Sequence, residues 1–79
     1  MKGITGKTVI ITGGAASIGK ALTQRFHQEG ANVVIAARSG GPANDLAAQL
    51  GERALAAQTD IRDDAALRKL VSQAVDRFG

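Results

Sequence analysis

The sequence predicts an α/β fold in which three parallel strands alternate with three helices in the order βαβαβα. Two observations lead to this fold class. Short apolar runs, which suit strands covered on both faces, alternate with stretches whose apolar residues recur every three or four positions. Glycines follow two of the helical stretches, at Gly30 and Gly51. Because crossovers between parallel strands are right-handed, we expect strand order 3-2-1 within one small domain, residues 1–79.

The first predicted strand covers residues 7–12, and the first predicted helix covers residues 17–29. The strand is indicated by a run of β-branched residues, which are Val9, Ile10 and Ile11. The helix is indicated by apolar residues at helical spacing, which are Ile18, Ala21, Leu22 and Phe26. Gly30 then stands where a glycine commonly ends a helix.

The second predicted strand covers residues 32–37, whose apolar run has no polar alternation and therefore suits the middle of a parallel sheet. Residues 39–42 contain two glycines and a proline; they predict a turn, and the proline suits the first turn of the next helix. That helix is predicted over residues 45–50, with Leu46 and Leu50 on one face. Gly51 would close it.

The third predicted strand covers residues 53–59, which are rich in alanine and are assigned mainly by their place in the series. The last helix has the clearest pattern. Asp63 and Asp64 suit its positively polarised N-terminal end. Its predicted apolar face consists of Leu67, Leu70, Val71, Ala74, Val75 and Phe78.

The segment between the first strand and the first helix predicts an anion-binding site. The first N–H groups of a helix have no partners within the helix, and the helix dipole adds positive charge there. Small residues let a phosphate approach these amides, and here they are Gly13, Gly14, Ala15 and Ala16. We therefore expect the amides between Thr12 and Gly19 to cradle a pyrophosphate.

The composition excludes several classes of protein. The chain has no cysteine and a single histidine, His27, so it offers neither disulfides nor a usual zinc ligand set, and no metal site is predicted. We expect His27 to be exposed on its helix. No apolar stretch approaches the length of a membrane span or a signal peptide core, so we expect no membrane association and a cytoplasmic location.

Residues 12–19, read Thr-Gly-Gly-Ala-Ala-Ser-Ile-Gly, resemble the Thr-Gly-x-x-x-Gly-x-Gly fingerprint of the short-chain dehydrogenase/reductase family. The resemblance continues through three further segments, which are residues 30–34, 60–61 and 77–79. It implies the first part of a Rossmann-like, doubly wound parallel sheet that binds NAD or NADP. Ser17 stands where the fingerprint usually has its middle glycine; a serine there can cap the helix, but it would be strained if the position required a positive φ.

The resemblance also implies which residues contact the cofactor. Those in the fingerprint are Thr12, Gly13, Ala15, Ser17, Ile18 and Gly19. After the third strand, Asp60 would accept a hydrogen bond from the adenine amino group, and the backbone of Ile61 would meet the adenine ring. The alternative for Asp60 is that its side chain caps the following turn.

Arg38 favours NADP(H) over NAD as the cofactor. An NAD site commonly places an acidic residue after the second strand to bind the ribose 2′-OH, whereas an arginine there can hold a 2′-phosphate. Ser39 is a possible second donor to that phosphate. The alternatives are a solvated arginine at the start of a loop, a serine that serves only the turn, and NAD as the cofactor.

Within the resembled family, a serine and a Tyr-x-x-x-Lys motif perform the chemistry, but this sequence contains no tyrosine. We therefore assign no catalytic residue here and expect the chain to be the cofactor-binding part of a longer, homo-oligomeric oxidoreductase acting on a carbonyl or alcohol. A non-catalytic dinucleotide-binding module is the alternative. A nucleic-acid binder is a third, suggested by the net charge of +3 but opposed by dispersed basic residues and by only two aromatic side chains.

Overall fold

In a computed structural model, the described part of the chain comprises residues 3–13 and 17–79. Three strands and three helices alternate along it: β1 (Thr8–Thr12), α1 (Ser17–Gln28), β2 (Asn32–Ala37), α2 (Gly40–Leu50), β3 (Ala54–Gln58) and α3 (Asp64–Phe78). β2 lies between β1 and β3, and both pairings are parallel. The predicted fold class and strand order are confirmed.

β2 is the centre of the core. Val33, Val34 and Ile35 have no exposed surface, because helices cover both faces of the strand. Val34 and Ala36 point to one face, where they pack with Leu70 and Ala74 of α3.

The opposite face of the sheet contains two groups of packed side chains. Val33 packs with Ile11 of β1 and with Phe26 of α1. Ile35 packs with Ala43 and Leu46 of α2. Alternate residues of β2 therefore serve separate layers, as a strand with a two-residue repeat requires.

α2 begins five residues earlier than predicted. Gly40 and Gly41 have low helix propensity and predicted a turn, yet they form the first turn of α2 together with Pro42. Proline is tolerated there because first-turn N–H groups lack helical partners in any case. Burial of Ala43 and Leu46 against the sheet accounts for the longer helix, since tertiary packing outweighs propensity.

The apolar faces predicted for α1 and α3 are only partly buried. Leu70 and Ala74 are buried, but Val71 and Val75 are 54% and 58% exposed. In α1, Ile18 and Leu22 are also exposed, whereas Thr23 is completely buried. The Thr23 hydroxyl donates a hydrogen bond to the Gly19 carbonyl at 2.8 Å, so this buried polar group has a hydrogen-bond partner within its own helix.

The connection from α1 to β2 is fixed by hydrogen bonds. Gly30 has a φ of +96°, and its carbonyl accepts from the Gly6 N–H at 2.9 Å. His27 was expected to be exposed, but it is half-buried, and that burial is the main cause that lowers the pKa of its imidazole. No helix in the described ranges has the length and apolar character needed to cross a bilayer.

Candidate functional site

A cleft of about 500 Å³ opens at the carboxyl ends of the three strands. The residues that line it are Thr12, Gly13, Ala36, Ala37, Arg38, Ser39, Thr59 and Ile61. Its walls are mostly small side chains, and its one charged lining residue is Arg38. Ligand sites of open parallel sheets lie at this edge, so the cleft is the candidate functional site.

Gly13 marks the point where the chain leaves β1. Its φ of +67° is a left-handed conformation that favours glycine, and nothing lies within 4 Å of the position that a Cβ would take. Its N–H donates to the Ala36 carbonyl at 2.7 Å. The Gly13 N–H is therefore engaged by β2 and is one amide of the segment from Thr12 to Gly19 that is not offered to a phosphate.

Arg38 and Ser39 follow β2 directly. The Gln58 side-chain amide donates to the Arg38 carbonyl at 3.0 Å, which anchors the backbone while the Arg38 side chain is exposed. Ser39 is the N-cap of α2, with extended backbone (φ −95°, ψ 118°), but its hydroxyl makes no capping hydrogen bond. The segment thus presents a guanidinium and a hydroxyl beside the cleft.

Thr59, Asp60 and Ile61 follow β3. The Thr59 N–H donates to the Ala37 carbonyl at 2.8 Å, so the pairing of the two strands extends past the end of β3. Thr59 is buried, whereas the Ile61 side chain is 52% exposed at the margin of the cleft. An exposed isoleucine there offers an apolar surface to a ligand.

The Asp60 carboxylate is held by Arg62. Its Oδ1 accepts from the Arg62 backbone N–H at 3.0 Å and from Nε at 3.1 Å, and its Oδ2 accepts from Nη2 at 3.1 Å. These bonds lower the pKa of Asp60, with a smaller contribution from the charge of Arg38, and the side-chain bond raises the pKa of Arg62. The turn-capping interaction that was the alternative for Asp60 is therefore present.

The structure brings five of the predicted site residues to the cleft, which are Thr12, Gly13, Arg38, Ser39 and Ile61. Ile18 and Gly19 belong to the first turn of α1 and do not line it. Ser17 is the first residue of α1, where right-handed helical backbone suits any L-residue, and this removes the strain considered for it. Ala15, Gly14 and Ala16 lie outside the described residues, as does the side chain of Ser17.

Four residues at or beside the site were not predicted as site residues from the sequence: Ala36 and Ala37 at the end of β2, Thr59 after β3, and Arg62 beside Asp60. Thr59 lines the cleft because it directly follows β3, and the end of a strand was the signal that could have identified it. Arg62 binds Asp60 across a tight turn, and no periodic pattern indicates such a contact. The missed partner changes the charge balance of the site, since a carboxylate that stood alone in the prediction is half of an ion pair.

The arrangement suits an anionic ligand that carries an apolar group. Small side chains leave room for the ligand at the ends of β1 and β2, and Arg38 supplies a charge that pairs well with phosphate. Ile61 supplies apolar surface, and the Asp60 carboxylate can still accept a further hydrogen bond through Oδ2. The residues present fit the phosphate-bearing adenosine end of a dinucleotide.

A family model and several known proteins match the sequence. A family model described as short chain dehydrogenase matches residues 7–79. The chain is 41% identical over 83 residues to "L-rhamnose 1-dehydrogenase (NAD(P)(+))" of Sphingomonas sp. (strain SKA58), with all of this chain and 33% of that protein covered. It is 40% identical over 86 residues to "Hydroxysteroid dehydrogenase-like protein 2" of Danio rerio, with 96% of this chain and 21% of that protein covered.

Two solved structures superimpose on almost the whole chain. A 3-ketoacyl-(acyl-carrier-protein) reductase from Brucella melitensis complexed with NADH superimposes with a TM-score of 0.93 at 35% identity, with 98% of this chain and 32% of that chain covered. A short chain dehydrogenase from Bacillus anthracis gives a TM-score of 0.90 at 32% identity, with 98% of this chain and 33% of that chain covered. The chain thus spans about a third or less of the length of these relatives.

Proposed function

Because the chain belongs to the short-chain dehydrogenase family, we propose that the full-length protein is an NADP-dependent oxidoreductase acting on a carbonyl or alcohol group of a small molecule. The relatives named above carry dehydrogenase, dehydrogenase-like or reductase names, which supports this class of reaction. The described cleft would hold the adenosine end of the cofactor. A homo-oligomeric assembly and a cytoplasmic location stay predictions from the sequence.

The observation that carries the choice of NADP is the position of Arg38. It is the first residue after β2, its side chain is exposed, and it lines the cleft. An acidic residue at this strand end would bind a ribose 2′-OH, whereas a guanidinium binds a 2′-phosphate through paired hydrogen bonds. The relatives do not decide the matter, since one is named for NAD(P)(+) and one structure contains NADH. The local charge favours NADP.

The remaining predicted residues have roles consistent with the same ligand. We assign the pyrophosphate to the segment from Thr12 to Gly19, which includes Ala15, Ser17 and Ile18, because a strand-to-helix junction offers unpaired N–H groups. Ser39 has a hydroxyl that α2 does not use for capping, so it can donate to the 2′-phosphate. We assign the backbone of Ile61, which lines the cleft, to the adenine ring, and the Asp60 carboxylate to the adenine amino group.

When bound, the nicotinamide of the cofactor supplies or receives the hydride. The residues of this chain contribute by binding and orientation. Contacts at the adenosine end add binding energy far from the reacting atoms, and this energy fixes the cofactor on the edge of the sheet.

The test is cofactor affinity in the full-length protein, measured by calorimetry for NADP+ and NAD+. We expect a preference for NADP+ in the unmodified protein. Arg38→Ala should weaken NADP+ binding by about 10- to 100-fold, because charge-assisted hydrogen bonds are lost, and leave NAD+ binding unchanged. Arg25→Ala is the control, since Arg25 is an exposed arginine on α1 that does not line the cleft.

Equal losses of affinity for NADP+ and NAD+ in Arg38→Ala would contradict the proposed binding of the 2′-phosphate by Arg38. So would the absence of a preference for NADP+ in the unmodified protein. The second candidate, a non-catalytic dinucleotide-binding module, predicts a different result. It would bind NADP+ with the same dependence on Arg38 but would not oxidise or reduce any member of a panel of alcohols and carbonyls. Turnover of NADPH with a carbonyl substrate excludes that candidate.

A further inference from the structure

Arg62 forms an unusually complete ion pair for a surface residue. Its backbone N–H, Nε and Nη2 all donate to the Asp60 carboxylate, at 3.0 to 3.1 Å. The Arg62 side chain is nevertheless 70% exposed and that of Asp60 is 41% exposed. Exposed pairs contribute little to stability, so beyond the turn-capping bond from the Arg62 backbone N–H, the side-chain pair adds little to the stability of the fold.

The position of the pair suggests what it does. Arg38 follows β2 and Asp60 follows β3, and the two strands are adjacent, with Ala37 paired to Gln58. Both residues therefore lie at the same edge of the sheet, beside the cleft. The hydrogen bonds from Arg62 are the main cause that lowers the pKa of the Asp60 carboxylate, and the charge of Arg38 lowers it further.

An uncompensated carboxylate at this position would oppose a 2′-phosphate in two ways. It would repel the doubly negative group, and it would compete as a partner for the Arg38 guanidinium. In the structure, Arg62 donates to both oxygens of Asp60 and supplies the opposite charge beside this carboxylate. Across residues 3–13 and 17–79, Arg38 makes no ion pair with any acidic side chain.

We propose that Arg62 is a positioning residue that determines cofactor preference: its guanidinium neutralises and holds Asp60, and this leaves Arg38 to bind a 2′-phosphate. The inference rests on the proposed function, since it takes Arg38 as the phosphate ligand. Arg62 acts through Asp60 and does not itself contact the cofactor. It therefore affects the preference for a 2′-phosphate more than the affinity for adenine.

The test uses two nicotinamide-free probes, adenosine 2′,5′-bisphosphate and adenosine 5′-monophosphate, bound to the full-length protein. The readout is the ratio of their dissociation constants, in which any common change in adenine binding cancels. We expect Arg62→Ala to reduce the preference for the bisphosphate by about three- to fivefold at low ionic strength, the scale of an exposed charge interaction. Added salt should shrink this difference.

Two further variants separate this role from a merely structural one. Adding Asp60→Asn to Arg62→Ala removes the exposed carboxylate, so the preference for the bisphosphate should return, even if both probes bind more weakly. Arg62→Lys should keep part of the preference, because a lysine retains the charge but not the paired hydrogen bonds. Arg25→Ala is the matched control: Arg25 also binds a carboxylate, Glu29, at 3.0 Å and is 61% exposed, but it is remote from the cleft.

Failures of the two proposals give different results. If the unmodified protein does not prefer the bisphosphate, the role of Arg38 is overturned, and this inference is overturned with it. If Arg38→Ala abolishes the preference but Arg62→Ala does not change it, only this inference is overturned. If Arg62→Ala lowers the preference and Asp60→Asn does not restore it, Arg62 binds the phosphate directly, and the proposed route through Asp60 is wrong.

Discussion

Arg53 is bound to the carbonyl oxygen of Ala31 at 2.6 Å through its Nη1 atom, so the residue before β3 is joined to the residue before β2. The same nitrogen donates to the His27 carbonyl at 3.1 Å, near the end of α1. Terminal helix carbonyls lack partners within the helix and carry partial negative charge, which suits a guanidinium. One side chain thus fastens the amino ends of two strands to a helix end.

Arg53→Ala should lower the free energy of unfolding by about 1 to 2 kcal/mol, because charge-assisted hydrogen bonds are lost and the Ala31 carbonyl loses the Arg53 donor. Urea denaturation of the full-length protein measures the change. Arg68→Ala, at an exposed position of α3, is the control and should change the stability by less than about 0.5 kcal/mol. A similar small effect for Arg53→Ala would contradict the fastening role.

Gly30→Ala should be more destabilising than an ordinary surface substitution, by about 1 to 3 kcal/mol. The φ of +96° disfavours any L-residue, and the new Cβ would stand 3.1 Å from the Thr5 side chain. Thermal unfolding provides the measurement. When Thr5 is also replaced by alanine, Gly30→Ala should cost less stability. The close contact with the Thr5 side chain is then relieved, whereas the strain of a positive φ persists.

Gly41→Ala is the matched control for that experiment. Gly41 lies within α2 and has nothing within 4 Å of the position of a Cβ. Its effect should be small, because the better helix propensity of alanine is offset by Pro42, whose ring disfavours helical backbone at a preceding residue that carries a Cβ. A loss as large as that of Gly30→Ala would contradict the role assigned to the positive φ of Gly30.

The caps of α2 and α3 should respond differently to removal of their side chains. Asp63 accepts from the Ala65 N–H at 2.9 Å, whereas Ser39 makes no capping bond. Asp63→Ala should cost about 1 kcal/mol, and Ser39→Ala should cost close to nothing in unfolding experiments. If Ser39→Ala instead weakens NADP+ binding alone, its hydroxyl serves the ligand and not the helix.

His27 should make the stability depend on pH. Burial, and to a smaller extent the charge of Arg53, lower its pKa below the ordinary value of 6.5, against a hydrogen bond to the Leu50 carbonyl that raises it. Below 6.5 the unfolded chain therefore binds more protons than the folded one, so stability falls as the pH drops through this window. His27→Gln should flatten the dependence between about pH 7.5 and about pH 5.5 in denaturation experiments. An unchanged slope would contradict this assignment.

The secondary structure was predictable where the local sequence pattern fits only one kind of element. β2 extends over the six residues predicted for it, because a run of β-branched side chains buried on both faces has no other good interpretation. The start of α2 was not predictable. Gly40 and Gly41 argue for a turn locally, and the packing of Ala43 and Leu46 that outweighs them is a property of the assembled domain.

The candidate site also contains residues that the sequence predicted and contacts that it did not. Arg38 was identified by its place after β2 and Ile61 by the resemblance to the family, and the parallel topology brings both strand ends to one edge. The engagement of the Gly13 amide by Ala36 was not identified, nor was the pairing of Arg62 with Asp60. Both contacts depend on how single groups are oriented within a turn, and the spacing of hydrophobic residues in the sequence does not determine that orientation. Which residues contact a cofactor stays a prediction.

The alternation along β2 has a consequence for how this domain tolerates change. Val34 faces α3, whereas Val33 and Ile35 face α1 and α2, and the described side chains of the two layers share no packed group. A larger or smaller residue at Val34 can be accommodated by adjusting Leu70 or Ala74 without disturbing the helix that follows Ser39. The side of the sheet beneath α3 can therefore be redesigned independently of the side beneath α1 and α2.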